Sequence, residues 1–126
     1  MKLILSIAAG GALGALGRHY VMTWVGHLLG TAFPYGTVVV NVVGSFILGA
    51  LIETMALAWS PPPELRALIV LGGLGAFTTF STFSMDTILL FERGQLVPAG
   101  AYVAASVIIS VLAFGAGMYL LRHILT

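Results

Sequence analysis

The stretch GAFTTFSTFSMD, Gly75 to Asp86, decides how this chain is read. Within a dozen residues it sets five hydroxyl side chains (Thr78, Thr79, Ser81, Thr82, Ser84), three phenylalanines and one carboxylate. The sequence around it is built of leucine, valine, isoleucine, alanine and glycine, so the hydroxyl chemistry is concentrated in one place.

The surroundings identify the solvent. Of 126 residues, 60% are hydrophobic and 7% charged, against about a quarter charged in soluble domains. Such a chain belongs in a bilayer. A formal net charge of +1 offers no basic field for nucleic acid, and the absence of cysteine removes disulfide, thiolate and cysteine-zinc chemistry. The opening MKLILSIAAGGALG resembles a secretory signal in its charged start and apolar run. The apolar region continues past signal length and further hydrophobic segments follow, so it reads as a first transmembrane helix, with cleavage as the alternative.

Crossing about 30 Å of hydrocarbon takes roughly 20 helical residues. Four runs of that length are predicted, at about 3–25, 37–58, 65–91 and 97–124, in a single domain spanning 1–126. GHLLGTAFPYG turns the chain after the first, the prolines of WSPPPELR end the second, and ERGQ closes the third. Glu64 suits the first turn of the third span. Tyr20, Trp24, Tyr35 and Trp59 fall near span ends, where an aromatic belt is expected. A membrane barrel would alternate polar and apolar residues, which these runs do not. The fold class expected is an all-α membrane protein of four transmembrane helices. Small residues recur at i, i+4 in Gly10/Gly14, Gly11/Ala15, Ser45/Gly49, Ala101/Ala105 and Ala113/Gly117, allowing close helix packing and suggesting a homo-oligomer.

The third span is too long for a straight crossing, at about 40 Å for 27 residues. Gly75 lies about 15 Å in, at the midplane, and GGLGAFTTFSTFS is the poorest helix-forming segment there. A broken third helix is expected, and irregular backbone at that depth must be buried in protein or face a water-filled cavity. The alternative is a straight helix whose hydroxyls bond back to their own turns. Asn41, a lone amide in span two, needs a partner. Tyr102, Ser106 and Ser110 form one face of span four at four-residue spacing. Singly, such hydroxyls act as interhelical glue; together they suggest a permeation track. Hydroxyls, an amide and the positive edges of Phe80 and Phe83 suit an anion, with packing as the other role for the rings. No nucleophile with a base, metal-ligand cluster or phosphate loop is present, which argues against an enzyme.

GGALGALGRH, NVVGSFILG and GGLGAFTTFSTFSMD together resemble the Fluc (CrcB) fluoride channels over essentially the whole chain. The resemblance implies an antiparallel, dual-topology homodimer in the lipid of the bacterial inner (plasma) membrane, passively exporting fluoride and so lowering its toxicity. It implies fluoride-pathway roles for Asn41, Phe80, Phe83, Thr79, Ser81, Thr82, Tyr102, Ser106 and Ser110. It implies a structural sodium ion at the dimer centre, held by backbone carbonyls of Gly75 and Thr78. Arg18 matches the family's span-one arginine; it either snorkels to the interface or draws fluoride into a vestibule. Asp86 and Glu53, toward span ends, receive no transport role. A small multidrug resistance transporter is the nearest rival, but it needs an embedded glutamate in span one, and LILSIAAGGALGALG has none. A non-transporting assembly subunit is the second rival.

Overall fold

The computed structural model describes residues 1–126. α1 (Lys2–Leu29) ends at Gly30, whose φ of 82° is a left-handed conformation that glycine adopts without penalty. α2 (Tyr35–Leu57) follows directly on Pro34 and stops before the proline run. The third span opens with the short α3 (Pro63–Arg66), in which Pro63 sits where no amide is needed and Glu64 occupies the first turn. It continues as a π-helical segment (Ala67–Leu74) and the short α4 (Gly75–Phe77), then breaks, and resumes as α5 (Phe80–Glu92). After a turn at Gly94, φ 76°, α6 (Leu96–Leu125) completes the chain.

The architecture is all-helical, with four long helical segments. Three segments, Tyr35–Leu57, Pro63–Glu92 and Leu96–Leu125, are long and apolar enough to cross a membrane. α1 is long enough at 28 residues but falls short in hydropathy, because five glycines, Arg18, His19 and His27 dilute its apolar content.

The third span breaks within the segment expected, at its threonines rather than its glycines. Gly75 keeps helical angles, φ −60° and ψ −38°, and the extended residues are Thr78 (φ −84°, ψ 157°) and Thr79 (φ −152°, ψ 122°). The glycines serve a close approach instead. A Cβ on Gly72 would strike backbone atoms of Ile7 and Gly11, and one on Gly10 would strike the Leu68 carbonyl, so α1 and the π-helical segment meet backbone to backbone. α2 and α6 form the most extensive helix pair and touch the same way, through Gly49 against Phe114 and Gly117 against Phe46. Gly11 has open space in the protomer.

The break changes the span's neighbours. Before it, residues 67–77 pack on α1; after it, α5 packs on α6. The interior is thin. Tyr102 and Val40 are fully buried, Leu90 and Ala99 nearly so, and Phe33, Val38 and Phe83 close over the cluster formed by Leu90, Ala99 and Tyr102. Many large side chains, such as Ile109, Val111 and Leu112 on α6, face outward, as an apolar solvent permits.

Candidate functional site: a polar groove at the broken span

The break is held open by one side chain. Asn41, on α2, accepts the Thr79 N–H on Oδ1 at 2.7 Å and donates Nδ2 to the Thr79 carbonyl at 3.0 Å. Thr79 is itself 8% exposed and caps α5, its Oγ1 accepting the Thr82 N–H at 3.2 Å. The amides of Phe80 and Ser81, in the first turn of α5, are left without intrahelical acceptors, and the helix dipole adds partial positive charge there. A helix N-terminus is thus presented deep within the third span.

A groove of about 320 Å³ runs past this point. Asn41 and Ser45 line it from α2, Thr78 and Thr79 from the break, Phe80 and Phe83 from α5, and Ser106 and Ser110 from α6. The hydroxyl oxygens of Ser106 and Ser110 are enclosed and have no hydrogen-bond partner. Leaving a buried hydroxyl unpaired costs about 1–3 kcal/mol, so two such groups in one groove mark a place prepared for a polar guest. Neither bonds back to its own helix, as Thr54, Thr78, Ser84 and Thr87 do.

The groove ends against an aromatic and carboxylate cluster. The Phe80 and Phe83 rings lie 5.4 Å apart, Phe83 and Tyr102 5.2 Å, and Tyr102 and Phe33 5.6 Å. Beneath Phe83, Tyr102 donates its hydroxyl to Asp86 Oδ2 at 3.0 Å, and Thr37 donates to the same oxygen at 2.7 Å. Asp86 also lines a small recess of about 60 Å³ with Arg93 and the loop residues Thr31, Ala32 and Pro34.

Of the residues singled out in the sequence, Asn41, Thr79, Phe80, Phe83, Ser106 and Ser110 converge on the groove. Tyr102 sits behind Phe83 rather than in the groove wall. Ser81 lies 3.4 Å from the Thr79 hydroxyl, and Thr82 contributes its amide to the cap. Arg18 lies apart, in a recess on α1 with His19, Met22 and Thr23. The sequence alone does not assign Thr37 or Asp86 to the site, and it assigns Ser45 to packing. The available signal was spacing, since Thr37, Asn41 and Ser45 recur every four residues on α2, as Tyr102, Ser106 and Ser110 do on α6. Glu53, a buried acid, is ion-paired with Arg122 at 2.9 Å, tying α2 to α6 away from the groove.

Comparison with known proteins places the chain. A family described as "CrcB-like protein, Camphor Resistance (CrcB)" matches residues 5–118. A protein of Rhodospirillum centenum named "Fluoride-specific ion channel FluC" is 53% identical over 122 residues, 97% of each chain. Proteins of the same name from Rhizobium johnstonii and Chelativorans are each 50% identical, over 92% and 97% of this chain and 93% and 98% of their own lengths. With the family pattern running through nearly every residue from α1 to α6, this chain belongs to the CrcB family.

Proposed function

We propose that this chain is a fluoride-selective ion channel, an integral multi-pass membrane protein of bacteria that passively exports fluoride and so lowers its toxicity. The observation that carries this reading is the pair of enclosed, unpartnered hydroxyls, Ser106 and Ser110, facing the N-terminus of α5 across a groove. Every polar group offered there is a neutral donor or a dipole. That suits a small, strongly hydrated anion, whose water must be replaced by hydrogen-bond donors without a fixed charge that would trap it. Phe80 and Phe83 add ring edges, which carry partial positive charge. Asn41, with Thr79, Ser81 and Thr82 around the break, and Tyr102 at the groove's end complete the pathway. The work is conduction, as the family's membership implies, and not enzymatic turnover.

α1 is read as a fourth span, its glycine face packed on residues 67–77. The groove is open on one side in the protomer, and Phe80, 77% exposed, stands at its edge. An antiparallel homodimer with dual topology would cover that side. Lys2, Arg66 and Arg122 at one membrane face against Arg93 and Arg18 toward the other is a weak orientation bias, which allows insertion both ways. Arg18 either snorkels or serves the vestibule.

The carbonyls of Gly75 and Thr78 suit a sodium ion between two copies. In a continuous helix the amides of Thr79 and Thr82 would occupy those two oxygens; here they are bonded to Asn41 Oδ1 and Thr79 Oγ1 instead. A cation bound there would supply positive potential beside a groove that has no cationic side chain in its walls.

The test is fluoride-electrode recording of efflux from liposomes holding the purified protein. Passive, electrogenic fluoride efflux with rejection of chloride is expected. Efflux that requires a proton gradient would contradict a channel.

A further inference from the structure

We propose that Asn41 is a positioning residue for the cation site: by clamping the Thr79 peptide it keeps the Gly75 carbonyl free, so one side chain of the anion groove also prepares the cation's ligands. This rests on the reading of Gly75 and Thr78 as sodium ligands. Helix α4 ends on the Leu74 carbonyl, which takes both the Thr78 N–H and the Thr78 hydroxyl at 3.0 and 2.9 Å. The next amide, Thr79 N–H, would fall on Gly75 O if the helix went on. Asn41 Oδ1 takes it instead, at 2.7 Å. Asn41 Nδ2 meanwhile holds the Thr79 carbonyl, so the residue is gripped at both of its polar groups and kept extended.

A carboxamide does both jobs, because it carries an acceptor and a donor side by side. One turn along α2 is Gly44, buried against the break; a Cβ there would collide with the Thr78 side chain. Asn41 and Gly44 thus form one face of α2 that fits the extended dipeptide, the first by hydrogen bonding and the second by leaving room. Thr79 Oγ1 then repeats the diversion one step on, taking the Thr82 N–H that would otherwise reach Thr78 O.

The experiment is a sodium titration of the melting temperature of the purified wild-type protein and variants in detergent, with fluoride efflux measured alongside. Asn41→Ala releases the Thr79 N–H to Gly75 O, and its sodium midpoint is expected to rise at least about tenfold, the scale of one lost hydrogen bond to a charged group's site. Asn41→Asp keeps the acceptor for Thr79 N–H. Its sodium midpoint is expected to stay within about threefold of wild type while efflux falls, because a negative charge now lines the groove. Gly44→Ala, which leaves the Ser106 and Ser110 hydroxyls in place, is expected to raise the sodium midpoint by displacing Thr78. An Asn41→Ala protein that keeps the wild-type midpoint while losing efflux would overturn the proposal and confine Asn41 to the anion. Should that variant not fold, loss of the sodium response in Asn41→Asp together with a wild-type midpoint in Gly44→Ala would overturn it equally. A wild-type protein indifferent to sodium would overturn the cation reading and this inference with it, leaving the fluoride reading to stand on efflux.

Discussion

On α5, Ser84 and Thr87 donate their hydroxyls to the carbonyls of Phe80 and Phe83, at 3.1 and 2.8 Å, while on α6 Ser106 and Ser110 are enclosed and donate to nothing. Both pairs are hydroxyl side chains on apolar helices, so that chemistry alone does not separate them. Location does. The α5 hydroxyls close locally on their own turn, the usual way a polar side chain is made tolerable in an apolar helix. The α6 pair lines the groove that the α5 N-terminus also borders and does not close locally; on the proposed reading, a guest would supply the missing partner. Within the proposed pathway, Ser106 and Ser110 are thus the hydroxyls without a partner, whereas Ser84 and Thr87 are satisfied within their own helix.

The sharpest challenge to that contrast comes from the rings beside it. Phe83 touches both Phe80 and Tyr102, and Phe83→Ile is expected to slow fluoride efflux by about tenfold by removing a ring edge from the pathway, with the protein still assembled on size exclusion. Phe80→Ile is expected to act in the same direction and less strongly. Unchanged efflux in both would return the rings to packing. Tyr102→Phe comes next. It removes one of the two hydroxyls on Asp86 Oδ2 while keeping the buried ring, and a loss of about threefold in efflux is expected, within the range of one hydrogen bond. The scaffold side is probed by Arg122→Gln, which leaves Glu53 buried without its cation. Its melting temperature is expected to fall while efflux per folded channel, measured on the purified folded fraction, stays within about twofold, since the pair lies outside the groove.

Much of this was legible in the sequence. Apolar runs separated by proline and glycine set the spans, and the excess length of the third predicted a break. The segment that breaks, GGLGAFTTFSTFS, is legible, but the exact residues within it are not, because they depend on Asn41, 38 residues earlier, drawing the Thr79 amide out of the helix. The glycines nearby looked like the weak point but are needed for contact with α1, and the π-helical form of residues 67–74 accompanies that contact without a local signal. The ladder on α6 is legible from its spacing, whereas the matching ladder on α2 is masked. Thr37 stood at the start of a span and Ser45 inside a small-residue pair, so each already had an ordinary explanation. The role of Asp86 is not legible because its partners come from 16 and 49 residues away. A carboxylate near a span end carries no sequence sign that hydroxyls, rather than water, will satisfy it.

The most direct measurement compares two double variants in the same liposome efflux assay. Ser106→Ala with Ser110→Ala removes the unpartnered pair, and Ser84→Ala with Thr87→Ala removes the pair bonded to its own helix. The first is expected to slow fluoride efflux by at least about tenfold and the second to leave it within about twofold of wild type. Equal effects of the two, or efflux lost only in the α5 pair, would contradict the assignment of the anion pathway to the α6 hydroxyls.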